Sequence, residues 1–155
     1  MLRRNAARSR TRAMTAERRG PRADPRLRPR RARSTDRAMK CGVVERNAAR
    51  FVVCAEPITR VDDALDLVSA CMEHGVRGVL VEASDLPEAF FELRSRFAGE
   101  LVQKLLNYAI RLAAVIAPDP ARGDKFAAFV AEARHGRQFR VFDSRADAEA
   151  WLAAE

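Results

Sequence analysis

The fold is decided by residues 90–118, whose sequence is FFELRSRFAGELVQKLLNYAIRLAAVIAP. Its first part spaces apolar residues at helical intervals, and its last part, from Ile110 to Ile116, is almost wholly apolar. A strand that is covered on both faces shows such a continuous apolar run, so the pattern predicts an amphipathic helix followed directly by a buried β-strand. A helix that leads into a buried strand is typical of an α/β domain.

The predicted helix has one polar face and one apolar face when Phe97 starts a helical wheel of about 100° per residue. Gln and Asn on the polar face favour a binding role, because Lys and Glu are the more usual residues on a face that only needs to be soluble. Gly99 costs about 1 kcal/mol relative to Ala inside a helix, which favours a close approach of another backbone. The alternative is a solvated face with one ion pair between Glu100 and Lys104. The polar face carries Gly99, Glu100, Gln103, Lys104 and Asn107, and the apolar face carries Phe97, Ala98, Leu101, Val102, Leu105, Leu106, Tyr108 and Ala109.

Strand and helix signals alternate along the rest of the chain. Thr59 and Asp62 have the spacing of a capping box and predict a helix that ends near His74. The alternation implies right-handed crossovers, so it predicts a single small layered α/β domain over residues 41–155. Its sheet is expected to have about four or five strands, mostly parallel, with helices packed on it. The predicted strands cover residues 43–45, 51–54, 76–82, 110–116 and 138–142, and the first two suit a hairpin or two edge strands. Further helices begin at Asp85, Lys125 and Ser144, and Ser144 with Asp147 is expected to cap the last of them.

The other helices also have predicted apolar stripes and predicted ends. His74 and His135 each precede a glycine, and this pattern indicates a left-handed helix cap better than an acid–base site. The predicted inward residues are Leu65, Val68, Cys71 and Met72 in the first helix, Phe126, Phe129 and Val130 in the helix at 125–135, and Ala148, Trp151 and Leu152 in the last.

Charge divides the chain into two parts. Residues 1–40 hold 15 basic side chains against three acidic ones, whereas residues 41–155 hold 14 basic and 18 acidic side chains, a net of −4. The first part lacks core-forming side chains and is expected to be a disordered Arg-rich extension. It would bind nucleic acid or anionic lipid if it is a native basic arm. A targeting leader is a second interpretation, and translated upstream DNA of a GC-rich genome, with the true start near Met39, is the third and the one we favour.

The chain shows no motif for catalysis, for a metal or for a cofactor. Cys41, Cys54 and Cys71 are odd in number and widely spaced, which is typical of reduced thiols in a cytoplasmic protein. Asp62, Asp63 and Asp66 fall in a first helical turn, where acidic residues are expected without a metal. No nucleophile elbow and no Gly-rich phosphate loop is present. Polar residues interrupt the longest apolar region, residues 101–117, so no membrane span is expected.

Several short motifs resemble a family of small bacterial proteins called domain of unknown function 4180. They are residues 63–67 (DALDL), 90–93 (FFEL), 98–108 (AGELVQKLLNY) and 112–113 (LA), together with Gly136. The chain departs from the family pattern at residues 94–96, where Lys-Thr-Gly is usual, and at Ala117, where glycine is usual. The resemblance implies a fold and no activity. The element order also resembles the sulfate-transporter and anti-sigma-antagonist (STAS-like) domains, although their Asp-Ser-Ser-Gly phosphorylation motif is absent.

These observations favour a cytoplasmic, non-catalytic regulatory or binding module for a protein or a small ligand, with a homodimer as one option. An enzyme that uses Glu82, Glu100 and the polar helix face is the alternative, and nucleic-acid binding through the basic arm is a third. An enzyme should show a deep pocket, whereas a binding module should show a shallow patch. The predicted binding residues are Gly99, Glu100, Gln103, Lys104, Asn107 and Tyr108, with no catalytic residue, metal ligand or cofactor assigned.

Overall fold

The computed structural model describes residues 38–154, which belong to one compact unit. The predicted Arg-rich extension lies outside these residues, apart from its last three positions. The strands are β1 (Cys41–Arg46), β2 (Ala49–Cys54), β3 (Gly78–Glu82), β4 (Arg111–Val115) and β5 (Phe139–Phe142). The α-helices are α1 (Asp63–His74), α2 (Glu88–Phe91), α3 (Phe97–Asn107), α4 (Asp124–Ala133) and α5 (Arg145–Ala153).

The five strands form one mixed sheet in the order β1-β2-β3-β4-β5. β1 is antiparallel to β2, and each of the other neighbouring pairs is parallel. Asn47 and Ala48 form the two-residue turn between β1 and β2, and both have positive φ, at 51° and 65°. Such a turn matches the right-handed twist of a hairpin. The predicted α/β class, the mixed sheet and the hairpin are therefore confirmed.

Helices cover both faces of this sheet. α1, α2, α3 and α4 pack on one face, and α5 packs on the other. The strand order follows the sequence, so successive right-handed crossovers place their helices on the same side. Alternate residues of each strand point to opposite faces of the sheet. Val79 and Leu112 face α1 and α3, whereas Leu80 and Ala113 face α5. The core therefore consists of a larger layer under four helices and a smaller one under α5.

The start of α1 differs from the predicted capping box. Asp62 makes no side-chain cap, whereas Asp63 Oδ2 accepts hydrogen bonds from the backbone N–H groups of Thr59 at 2.8 Å and Arg60 at 2.9 Å. The Thr59 hydroxyl also donates to this oxygen, at 3.2 Å. The acidic partner of Thr59 is therefore one residue further along the chain than its spacing predicted. At the last helix, by contrast, the Ser144 hydroxyl accepts from the Asp147 N–H at 3.2 Å, as predicted.

The buried stripe of α1 is also rotated relative to the prediction. Ala64 and Leu67 are fully buried beside Val68 and Cys71, whereas Leu65 is 42% exposed and Met72 is 66% exposed. The prediction was therefore right for Val68 and Cys71 and wrong for Leu65 and Met72. Periodicity allowed both phases, because apolar residues occupy two overlapping stripes of this helix.

The two predicted glycine caps behave differently. Gly75 ends α1 in the left-handed conformation, with φ of 64°, as predicted. Gly136 has no positive φ, and α4 ends before it at Ala133. A Cβ built on Gly136 would lie 1.9 Å from the carbonyl oxygen of Phe139. This glycine is required because the start of β5 comes close to it, which differs from the predicted capping role.

Candidate functional site

α3 presents the predicted polar residues to solvent because its opposite side is held in the core. Phe97, Ala98, Leu101 and Leu105 are buried, and the helix lies on the same sheet face as α1. Its first turn is fixed by Ser95, whose hydroxyl accepts a hydrogen bond from the Phe97 N–H at 3.1 Å. The predicted division into two faces is therefore confirmed for the body of the helix, and Gly99, Glu100, Gln103 and Asn107 are exposed.

The exposed side chains of α3 are ordered by contacts with each other and with α1. Gln103 Nε2 donates to Asn107 Oδ1 at 2.8 Å, which fixes the two amides side by side. The ammonium of Lys104 pairs with the carboxylate of Asp62 at the start of α1. Lys104 therefore joins two helices, and the ion pair that its spacing predicted with Glu100 does not form.

Two of the predicted site residues have surroundings other than those expected. Apart from its two chain neighbours and the backbone of its own helix, no atom lies within 4 Å of a Cβ built on Gly99. The expected close approach at Gly99 was therefore wrong, and this position faces open space. Tyr108 was expected on the apolar face but is 48% exposed. α3 ends at Asn107 and Ala109 has φ of 56°, so the helical wheel no longer gives the direction of Tyr108.

The exposed large apolar side chains of residues 38–154 are Leu65, Met72 and Tyr108, and they belong to α1 or follow α3 directly. The two helices pack against each other on one face of the sheet. Sequence reasoning missed Leu65 and Met72 as surface residues, and the available signal was their separation of seven residues, which places them on one side of a helix. We define the α1–α3 surface as Leu65, Met72, Gly99, Glu100, Gln103, Lys104, Asn107 and Tyr108.

The two carboxylates of the enzyme hypothesis lie on opposite sides of the sheet. Glu82 ends β3 two residues after Leu80, so it points to the face that α5 covers, and its Oε1 accepts from Arg145 of α5 at 2.8 Å. Glu100 belongs to α3, on the other face. A carboxylate pair for general acid–base chemistry is therefore not formed by these residues.

The three thiols lie in the layer under α1. Cys41 and Cys54 are directly opposite each other in the β1–β2 register, and Cys71 lies on the buried side of α1. Burial raises the pKa of Cys41 to about 11, with a contribution from the charge of Asp66. Burial also raises the pKa of Cys54 and of Cys71 to about 12. Raised pKa values make these thiols poor nucleophiles, since the thiolate is the reactive form.

Within residues 38–154, no group of three or more His, Cys, Asp or Glu side chains is arranged to hold a metal ion. Asp63 and Asp66 instead accept backbone hydrogen bonds, Asp66 from the N–H of Met39 at 2.9 Å. No helix in this range is long and apolar enough to cross a membrane.

Residues 38–154 form clefts both away from the α1–α3 surface and beside it. One cleft of about 290 Å³ lies at the carboxyl end of β4, between Pro118 and the α4 residues Phe126 and Val130. Ligand crevices of α/β sheets usually form where the strand order reverses, and this sheet has no such reversal. A separate, shallow hollow lies beside Gly99 and Glu100 on the α1–α3 surface.

Comparison with known proteins gives a family match. The family described as "Domain of unknown function (DUF4180)" matches residues 45–152. This range includes β2 to β5 and α1 to α4 completely, together with the last two residues of β1 and all but the last residue of α5. No curated protein and no solved structure matches the chain. The similarity to STAS-like domains therefore stays a prediction from the order of the elements.

Proposed function

The chain belongs to the family of domain of unknown function 4180, and we propose that its α/β domain is a non-catalytic binding module. It docks a different protein through the α1–α3 surface and acts in regulation in the cytoplasm. One observation carries this proposal: the exposed large apolar side chains of the described residues lie on the same helical layer as the predicted polar cluster. Exposed apolar groups rimmed by polar ones are typical of protein interaction sites.

The composition of the α1–α3 surface fits a protein partner better than a small ligand. Small-molecule sites are concave and bury most of the ligand. The α1–α3 surface consists of the outer sides of two helices, and Gln103, Asn107 and Tyr108 are exposed there. Tyr and Met are enriched in the central parts of protein interfaces. The fixed amides of Gln103 and Asn107 add hydrogen-bonding groups whose ordering cost is already partly met.

Site-specific photo-crosslinking tests this proposal. A benzophenone amino acid replaces Met72, which is 66% exposed on α1. The matched control carries the same group in place of Ala128, which is exposed on α4. We expect irradiation in cells to give an adduct with one other protein from position 72 and none from position 128.

The alternative outcomes are distinct. An adduct of twice the mass of the chain would identify a second copy as the occupant and would overturn the proposal of a different protein. Equal labelling from both positions would indicate nonspecific contact. The absence of any adduct from position 72 would contradict docking at the α1–α3 surface.

A further inference from the structure

Four arginines gather at the edge of the sheet where the parallel strands begin. Arg77 directly precedes β3, Arg111 is the first residue of β4, and Arg137 lies two residues before β5. The sheet register aligns them, since the Arg111 N–H donates to the Arg77 carbonyl at 2.7 Å and Gly78 is opposite Arg111. Arg50 of β2 completes the set. These residues line a cleft of about 490 Å³, here called the arginine cleft.

One of the four arginines is held in place by the end of α5. The guanidinium of Arg111 donates to the carbonyls of Trp151 at 2.7 Å and Ala154 at 2.8 Å. It also lies over the Trp151 ring, 4.1 Å from the ring centroid. Arg111 therefore caps the helix and forms a rigid wall of the cleft, with its charge already partly compensated by the helix carbonyls.

The other arginines are available. Arg77 and Arg137 are exposed, and within residues 38–154 neither makes a side-chain hydrogen bond or an ion pair. Arg50 has one long contact, from Nε to Glu45 Oε2 at 3.9 Å, between two exposed side chains. Such a contact is worth little in water. No carboxylate of the described residues lines the arginine cleft.

The positive charge of the arginine cleft is opposite in sign to the net charge of the domain. Residues 41–155 have 18 acidic and 14 basic side chains, and many of the other basic groups are ion-paired. Unpaired guanidinium groups around one concave space repel each other, and a cleft lined by one sign of charge concentrates counter-ions of the other sign. Solubility does not require this arrangement, and like charge around one cleft favours an anionic ligand.

We propose that the arginine cleft binds a small phosphorylated molecule, with a phosphate group held by Arg77 and Arg137. The planar guanidinium fork matches phosphate oxygens two at a time. The volume of about 490 Å³ is within the range of small-molecule sites. This site goes beyond the proposed protein docking, because it uses other residues and another class of ligand.

Calorimetric titration of the full chain with inorganic pyrophosphate at fixed ionic strength tests the proposal. The test variant is Arg77→Gln with Arg137→Gln. The matched control is Arg94→Gln with Arg96→Gln, which removes the same charge from two exposed arginines before α3. A second variant, Arg77→Lys with Arg137→Lys, keeps the charge and removes the fork. Comparison of variants in one chain cancels any binding by the Arg-rich residues 1–37.

The expected result is saturable binding that weakens at least tenfold in the Gln variant, weakens less in the Lys variant and is unchanged in the control. Melting curves without ligand should coincide for all four proteins, because the altered side chains are exposed. Equal weakening in the control, or no saturable binding by the wild-type chain, would overturn the proposal. Loss of binding to a single-stranded oligonucleotide in the Gln variant, with pyrophosphate unbound, would show a nucleic-acid site instead and would also overturn it.

Discussion

The carboxylate of Asp63 accepts a hydrogen bond from the backbone N–H of Thr59 at 2.8 Å, across the turn that leads into α1. Asp63 is 7% exposed, and its Oδ1 lies 3.7 Å from the guanidinium Nη2 of Arg60. The hydrogen bond from Thr59 fixes the turn before α1, and the adjacent Asp62 pairs with Lys104 of α3.

Replacement of Asp63 tests this role. Asp63→Ala should lower the free energy of unfolding by about 1–3 kcal/mol, because two backbone N–H groups lose a partly buried acceptor. Asp62→Ala should cost no more than about 0.5 kcal/mol, since Asp62 is exposed. Urea denaturation measures both values. A cost at Asp62 as large as the cost at Asp63 would contradict this account of the helix start.

Gly99 faces open space within α3, so a side chain there should be accepted. Gly99→Ala should raise the free energy of unfolding by about 0.5–1 kcal/mol through helix propensity and the reduced entropy of the unfolded chain. Thermal unfolding measures the change. A destabilised variant would show that another backbone approaches Gly99 after all.

Ala109 adopts a left-handed conformation, with φ of 56°, where glycine is the usual residue. Its N–H donates to the Leu106 carbonyl at 2.9 Å, and the Ile110 N–H donates to the Leu105 carbonyl at 3.1 Å. Ala109→Gly should stabilise the protein by about 1 kcal/mol, because it removes the steric cost of this conformation. The reciprocal Gly75→Ala at the end of α1 should destabilise it by a similar amount, and the same denaturation assay reads both. Equal stability of all three proteins would refute this account of the helix ends.

We expect the burial of the thiols to slow their alkylation and to make the stability of the fold depend on pH. Burial raises the pKa of Cys41 to about 11 and of Cys54 to about 12, so both are almost entirely protonated at pH 8. Iodoacetamide should therefore label them in the native protein at least tenfold more slowly than in urea, as followed by mass spectrometry. Since the folded-state pKa is raised, the neutral thiols contribute stability below about pH 8.5, and this contribution is lost as the pH rises toward 11–12. Rapid native labelling at pH 8 would contradict the assigned burial.

Local patterns in the sequence were sufficient for the sheet and for α3. The continuous apolar run at residues 110–116 and the hairpin signals on either side of Asn47 depend on neighbouring residues, and both were confirmed. Leu65 and Tyr108 were placed wrongly for two physical reasons. In α1 two overlapping apolar stripes were possible, and only tertiary packing selects one of them. At Tyr108 the helix had already ended, so its periodicity no longer applied.

The arginine cleft was not found from the sequence, because its members are far apart in the chain. Arg77, Arg111 and Arg137 become neighbours through the parallel register of β3, β4 and β5. A usable signal existed, since each arginine stands within one residue of the start of a predicted strand, and parallel strands begin at the same edge of a sheet. The polar cluster of α3 was found because helical spacing alone brings Gln103 and Asn107 together.

The most direct test of the α1–α3 surface is the crosslinking yield from position 72 in a chain that also carries Gln103→Ala and Asn107→Ala. Both amides are exposed and bond to each other, so the melting curve should shift by no more than about 0.5 kcal/mol in stability. We predict that the adduct with the partner protein is lost while the melting curve is retained. An undiminished adduct would contradict the central claim, because the polar cluster would then take no part in docking.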